Sequence, residues 1–185
     1  MPFAVKSSLD VVFWFNDRAL NDKEYLQPQK LQRLLYLAQA YFSVAYPGRK
    51  LMPAVFVVDE FGPVEPTVFH VFSYGRPHMV EPNRIPEQVE HFLDSIWRRF
   101  GASSADQLTQ RVVQHVPVAE AMRKGRGEEI PLEAMIKFYA SEAAARNGAP
   151  PVDQVLRPRV LRSQGGKPVS VTTWKPKAMA DKKDG

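Results

Sequence analysis

Two pairs of adjacent carboxylates, Asp59-Glu60 and Glu128-Glu129, have the residue types from which acid–base chemistry starts. Asp59-Glu60 is the more informative pair, because it closes an apolar run and directly precedes a Phe61-Gly62-Pro63 turn. Adjacent acids on a turn are ordinarily solvated, so the pairs by themselves do not point to catalysis. His70, His78, His91 and His115 stand in four different segments, without the HExxH spacing that brings two imidazoles to one metal ion. The chain has no cysteine, which removes thiolate nucleophiles, thiolate metal sites and disulfides together. GxSxG, GxGxxG and GxxxxGK[ST] are absent, and the glycines of Lys124-Gly125-Arg126-Gly127 follow no predicted strand. The residues predict a protein that is no enzyme, with no metal and no cofactor.

The elements that carry these residues follow from periodicity. Residues 28–46 hold the strongest helical pattern: Leu31, Leu34, Leu35, Ala38, Phe42 and Ala45 share one side of a 3.6-residue repeat. Pro28 suits the first turn, and Pro47-Gly48 stops the helix. Burying the three leucines and Phe42 is worth about 6–12 kcal/mol as an upper bound. Tyr36, Tyr41 and Tyr46 spread around the helix, so at least one is expected at the surface, where aromatics make binding hot spots.

Ahead of this helix, Ser8 is the expected cap of a helix reaching Leu20, with Leu9, Val12, Phe13 and Leu20 inward. After it, residues 54–59 read as one strand, since Val55 to Val58 is β-branched and aromatic and too short for a helix. Glu65-Pro66 opens a short helix with Val68, Val71 and Phe72 inward, and residues 73–83 read as a loop. Further helices are expected over 86–100, over DQLTQRVVQH behind a Ser104/Gln107 capping box and interrupted by Pro117, and from Pro131 to Asn147. The predicted fold is mainly α: a helical domain over 1–148 with a small β element near 54–59, and an extended basic tail over 149–185. Residues 169–174, ending in Trp174, form a strand-like run able to pair with a sheet edge or a partner.

The net charge of +5 belongs to that tail. From Gly148 onward eight basic residues oppose three acidic ones, which leaves 17 of each sign in the rest of the chain. A neutral body lacks the basic footprint of a sequence-reading DNA domain. No run approaches the 18 apolar residues of a membrane span, so a cytoplasmic protein with no membrane partner is expected.

KLQRLLYLAQAYF, beginning at Lys30, followed some twenty residues later by DEFGPVEP, resembles the signature of the Panacea domain, the antitoxin domain of many bacterial and phage toxin–antitoxin pairs. Lys30, Leu31, Gln32, Leu34, Leu35, Tyr36, Ala38, Gln39, Gly62, Pro63 and Val64 carry the match. Arg33 stands where Lys is usual, Phe61 where Tyr is common, and Val118 where a Trp often follows His and Pro. The resemblance implies a protein that binds and neutralises a cognate protein toxin, in one branch as an adaptor delivering it to the ClpXP protease. Lys30, Gln32, Tyr36, Gln39, Asp59, Glu60, Gly62, Pro63 and Glu65 are then the candidate partner-binding residues, with Leu31, Leu34, Leu35, Ala38 and Phe42 as the core of the motif. The alternative is a nucleic-acid-binding regulator that uses the basic tail.

Overall fold

The computed structural model describes residues 1–73 and 82–156, together with the backbone of 160–162 and 168–170. The fold is mainly α, as expected. Helix α1 (Ser8–Asn21) is capped by Ser7, one residue earlier than the sequence suggested; its hydroxyl accepts from Leu9 N–H while Asp10 reaches back to Ser7 N–H. Valine and phenylalanine at 11, 12, 13 and 15 are buried. Leu20 is not: it lies 61% exposed, against expectation.

Helix α2 (Pro28–Ala45) is the axis of the molecule. The amphipathic pattern predicted one apolar face, yet every residue from Lys30 to Ser43 is buried. Leu31, Leu34, Leu35, Ala38 and Phe42 form its core contribution as expected, and Tyr36 and Tyr41 join them, leaving Tyr46 half-buried as the one tyrosine that emerges. The reason is the number of elements wrapped around the rod. It packs against α1, α4 (Glu87–Phe100), α5 (Ala105–Val112), α7 (Leu132–Tyr139) and α9 (Val152–Val155). Polar residues on the other faces therefore lie inside, where each needs a hydrogen-bond partner.

The β element is a hairpin, where the sequence suggested a single strand over 54–59. Strand β1 (Val57–Asp59) pairs antiparallel with β2 (Gly62–Val64), in the register Val57↔Val64, Val58↔Pro63 and Asp59↔Gly62. Glu60 and Phe61 form the two-residue tip. The free edge of β1 is covered by 127–130: Val58 N–H donates to Glu128 O at 2.9 Å, Gly127 N–H to Val58 O and Ile130 N–H to Phe56 O, both at 2.8 Å. Among the described residues no tail strand joins it. The tail strand β4 (Pro168–Ser170) pairs instead with β3 (Val160–Arg162); residues 171–174, Trp174 among them, lie outside the described residues.

Helix α3 (Pro66–Phe72) begins on Glu65 as expected, with Val68 buried but Val71 and Phe72 only half so. Helix α4 carries its apolar stripe inward, and Ser104 and Gln107 form the capping box of α5. Pro117 begins a helix where the sequence suggested only a break, because proline's fixed φ suits the first turn of α6 (Val116–Lys124). The predicted last helix is two: α7 ends at Tyr139 and α8 (Glu142–Arg146) restarts after Ser141. The packed body also runs past 148. Ala149, Pro150 and Val155 are buried, α9 rests on α2 and α4, and Tyr41 Oη donates to Pro150 O at 2.8 Å. No helix among the described residues is long and apolar enough to cross a membrane.

Candidate functional site

The polar residues of the motif face inward and hold the hairpin to α2. Gln32 Oε1 accepts from Glu65 N–H at 2.8 Å, and Glu65 Oε2 accepts from Val68 N–H at 2.6 Å, which fixes the start of α3. Gln39 Oε1 accepts from Met52 N–H at 3.2 Å and ties down the chain after α2. Lys30 Nζ donates to Glu24 and to the carbonyl of Gly101. Tyr36 packs edge-on against Phe56 and Tyr139. Lys30, Gln32, Tyr36, Gln39 and Glu65 are each at most 5% exposed, and Gly62 and Pro63 are buried as well. These seven were read from the sequence as partner-binding. In the structure they lie inside, as the frame beneath the surface, and of the nine only Asp59 and Glu60 reach solvent.

Arg33, which the sequence marked only as a departure from a motif, is the centre of that frame. Its guanidinium donates to Phe61 O and Pro63 O, and its Nε to Thr109 Oγ1 at 3.1 Å. One carbonyl of the hairpin tip and one of β2 are thus satisfied from one planar fork, a geometry lysine cannot reproduce. Burial lowers the Arg33 pKa to about 10, opposed by the nearby Asp59 charge, so it stays cationic at neutral pH. Asp59 in turn forms an ion pair with Arg126, outside hydrogen-bond alignment.

Gly62 has φ +117°, a conformation side chains rarely adopt, and a Cβ there would stand 3.3 Å from Val113 Cγ1 and 3.4 Å from the Arg33 guanidinium carbon. The turn is therefore built around the clamp.

What this frame presents is an apolar groove of about 740 Å³. Its floor is the first turns of α2, from Pro28 to Arg33. One wall is the end of α1 and the connection after it, with Leu20, Tyr25 and Leu26; the other is the hairpin tip and α3, with Phe61, Val68 and Phe69. Leu20, Tyr25, Phe61 and Phe69 are 54% to 79% exposed, large apolar groups that no described element covers. Polar groups in the walls are already engaged: Glu24 with Lys30, Gln32 with Glu65, Arg33 with the hairpin and Asp59 with Arg126. The groove thus offers apolar contact more than hydrogen bonds.

Comparison with protein-family models, with curated proteins and with solved structures returns no match for this chain. The functional reading rests on the groove and on the motif.

Among the described residues no group of three or more His, Asp or Glu side chains is placed to hold a metal ion. His115 is buried away from the groove, with Nδ1 2.7 Å from Tyr139 Oη, and burial lowers its pKa to about 4. Burial raises the phenols of Tyr36, Tyr41 and Tyr139, which remain protonated. Glu128 pairs with Lys124 on the surface. Among the described residues neither carboxylate pair meets a histidine in a cavity. Sequence reasoning missed Leu20, Tyr25 and Phe69; their apolar character was visible, but a neighbour's failure to cover them is a tertiary fact.

Proposed function

We propose that this chain is an antitoxin, binding and neutralising a cognate protein toxin by taking an apolar segment of it into the groove between α1, α2, α3 and the hairpin. The observation that carries the reading is the groove itself, with four exposed large apolar side chains converging on a concave surface. Contiguous exposed apolar surface of this kind marks interaction sites, and aromatic anchors supply most of the energy when they are desolvated. A frame of internal hydrogen bonds keeps that surface rigid, which lowers the ordering cost of binding. The motif's resemblance to antitoxin domains agrees with this placement, because its polar positions are the ones that build the frame.

Co-expression with the product of the adjacent reading frame tests the proposal. The neighbour should be toxic alone and harmless with the wild-type chain, while Phe69→Glu, on an exposed position, should lose protection with its melting temperature unchanged. A non-toxic neighbour, or full protection by Phe69→Glu, refutes the reading. Shortened toxin lifetime in the presence of ClpXP indicates adaptor action, and an unchanged lifetime indicates sequestration. The second reading, a nucleic-acid-binding regulator, is favoured by the concentration of all excess charge after Gly148. It predicts DNA binding that weakens with salt and vanishes when 157–185 are removed, a boundary set beyond the packed residues 149–156.

A further inference from the structure

The wall of the groove between α1 and α2 is held from behind by polar contacts that converge on Trp97 and Lys30. Asp22 accepts from the Trp97 indole N–H at 2.7 Å and pairs with Arg18 at 2.8 Å. Two residues on, Glu24 receives Lys30 Nζ, which also donates to Gly101 O at the end of α4 and lies 5.4 Å from the Trp97 ring centre. Trp97 is therefore gripped at its edge by Asp22 and on its face by Lys30. A buried ammonium is tolerated only with such partners, and its place at the C-terminus of α4 suits the helix dipole.

Between the two acids sits Lys23, the only non-glycine with positive φ (60°) among the described residues. It occupies the left-handed position of a Schellman motif, with Lys23 N–H donating to Leu20 O and Glu24 N–H to Ala19 O, where glycine would be unstrained. The connection is thus strained, anchored to α4 on one side, and exposed to the groove on the other through Tyr25 and Leu26. Local strain held by surrounding contacts is characteristic of segments whose exact placement matters.

We infer that this latch fixes the groove wall in its docking form, so that Lys30, Trp97 and Asp22 are positioning residues for the partner. The inference rests on the groove-docking reading. Any shift of the wall on docking is then linked to α4 through the Trp97 indole, and the coupling is reciprocal.

The test uses the full chain with Glu24→Gln and Lys30→Met together, which removes both charges and leaves neither alone in the interior. Hydrogen exchange of the 23–27 amides should accelerate about tenfold while the α2 and α4 amides stay protected. Affinity for the toxin, and for the uncharged apolar dye Nile red as a groove probe, should fall by a similar factor. Unchanged exchange at 23–27 overturns the latch. Faster exchange with unchanged affinity for toxin and dye overturns the positioning role but leaves groove docking intact. A wild-type chain that binds no toxin fails the docking reading instead, and the exchange and Nile red measurements still decide the latch.

Discussion

Acid should unfold this protein partly through one side chain, His115. It stands at the N-cap position of α6, 2% exposed; its ring packs 5.2 Å from Phe138 and 5.4 Å from Tyr139, and Nδ1 lies 2.7 Å from Tyr139 Oη. Nε2 has no hydrogen-bond partner among the described residues, so protonation would place a charged N–H in an apolar enclosure. Burial therefore lowers the folded pKa from 6.5 to about 4. The unfolded state binds the proton first. The stability associated with neutral His115 is complete above pH 6.5 and is lost as pH falls from there toward 4. Linkage gives a loss of about 2 kcal/mol by pH 5 and about 3 kcal/mol below pH 4. Urea denaturation at pH 7.5 and pH 5.0, on wild type and His115→Asn, measures it. The variant will be weaker at both values, but its pH-dependent loss should be smaller than that of wild type by about 2 kcal/mol. Subtracting the two removes the carboxylates common to both. Equal pH-dependent losses would refute the argument, as would an imidazole NMR signal of His115 that titrates near 6.5.

Three further outcomes follow from the frame. Gly62→Val forces a side chain into φ +117° against Val113 and the Arg33 clamp; a cost of about 2–3 kcal/mol, roughly 5–10 °C in melting temperature, is expected, and calorimetry showing no change would contradict it. Arg33→Leu leaves Phe61 O and Pro63 O without their donor and should cost about 2–4 kcal/mol in urea titrations, whereas Arg33→Lys, which keeps the charge but not the fork, should lose less. Lys23→Gly relieves the left-handed residue after α1 and should stabilise by about 1 kcal/mol; a lower melting temperature would show that Lys23 makes a compensating contact.

Sequence periodicity determined the elements and their order. The leucine repeat of α2, the Ser104/Gln107 cap and the prolines opening α2 and α3 are local features, governed by backbone sterics and by residues three or four positions apart, and each appears where it was read; the turn read at Phe61-Gly62-Pro63 lies instead at Glu60-Phe61, with Gly62 and Pro63 paired in β2. The split of the last helix at Ser141 and the helix that begins at Val116-Pro117 were not read from the sequence. Burial of polar side chains was beyond the sequence. Lys30, Gln32 and Gln39 look like solvent-facing side chains in one helix taken alone, and only the arrival of the hairpin, α4 and the chain after α2 encloses them and supplies their partners. The groove is decided the same way, in reverse: Leu20, Tyr25, Phe61 and Phe69 are as apolar as any core residue, and they remain at the surface because no described element packs over them. Local interactions select each element's conformation, but which faces are covered is a sum over contacts distant in the chain, and that sum exists only in the folded molecule.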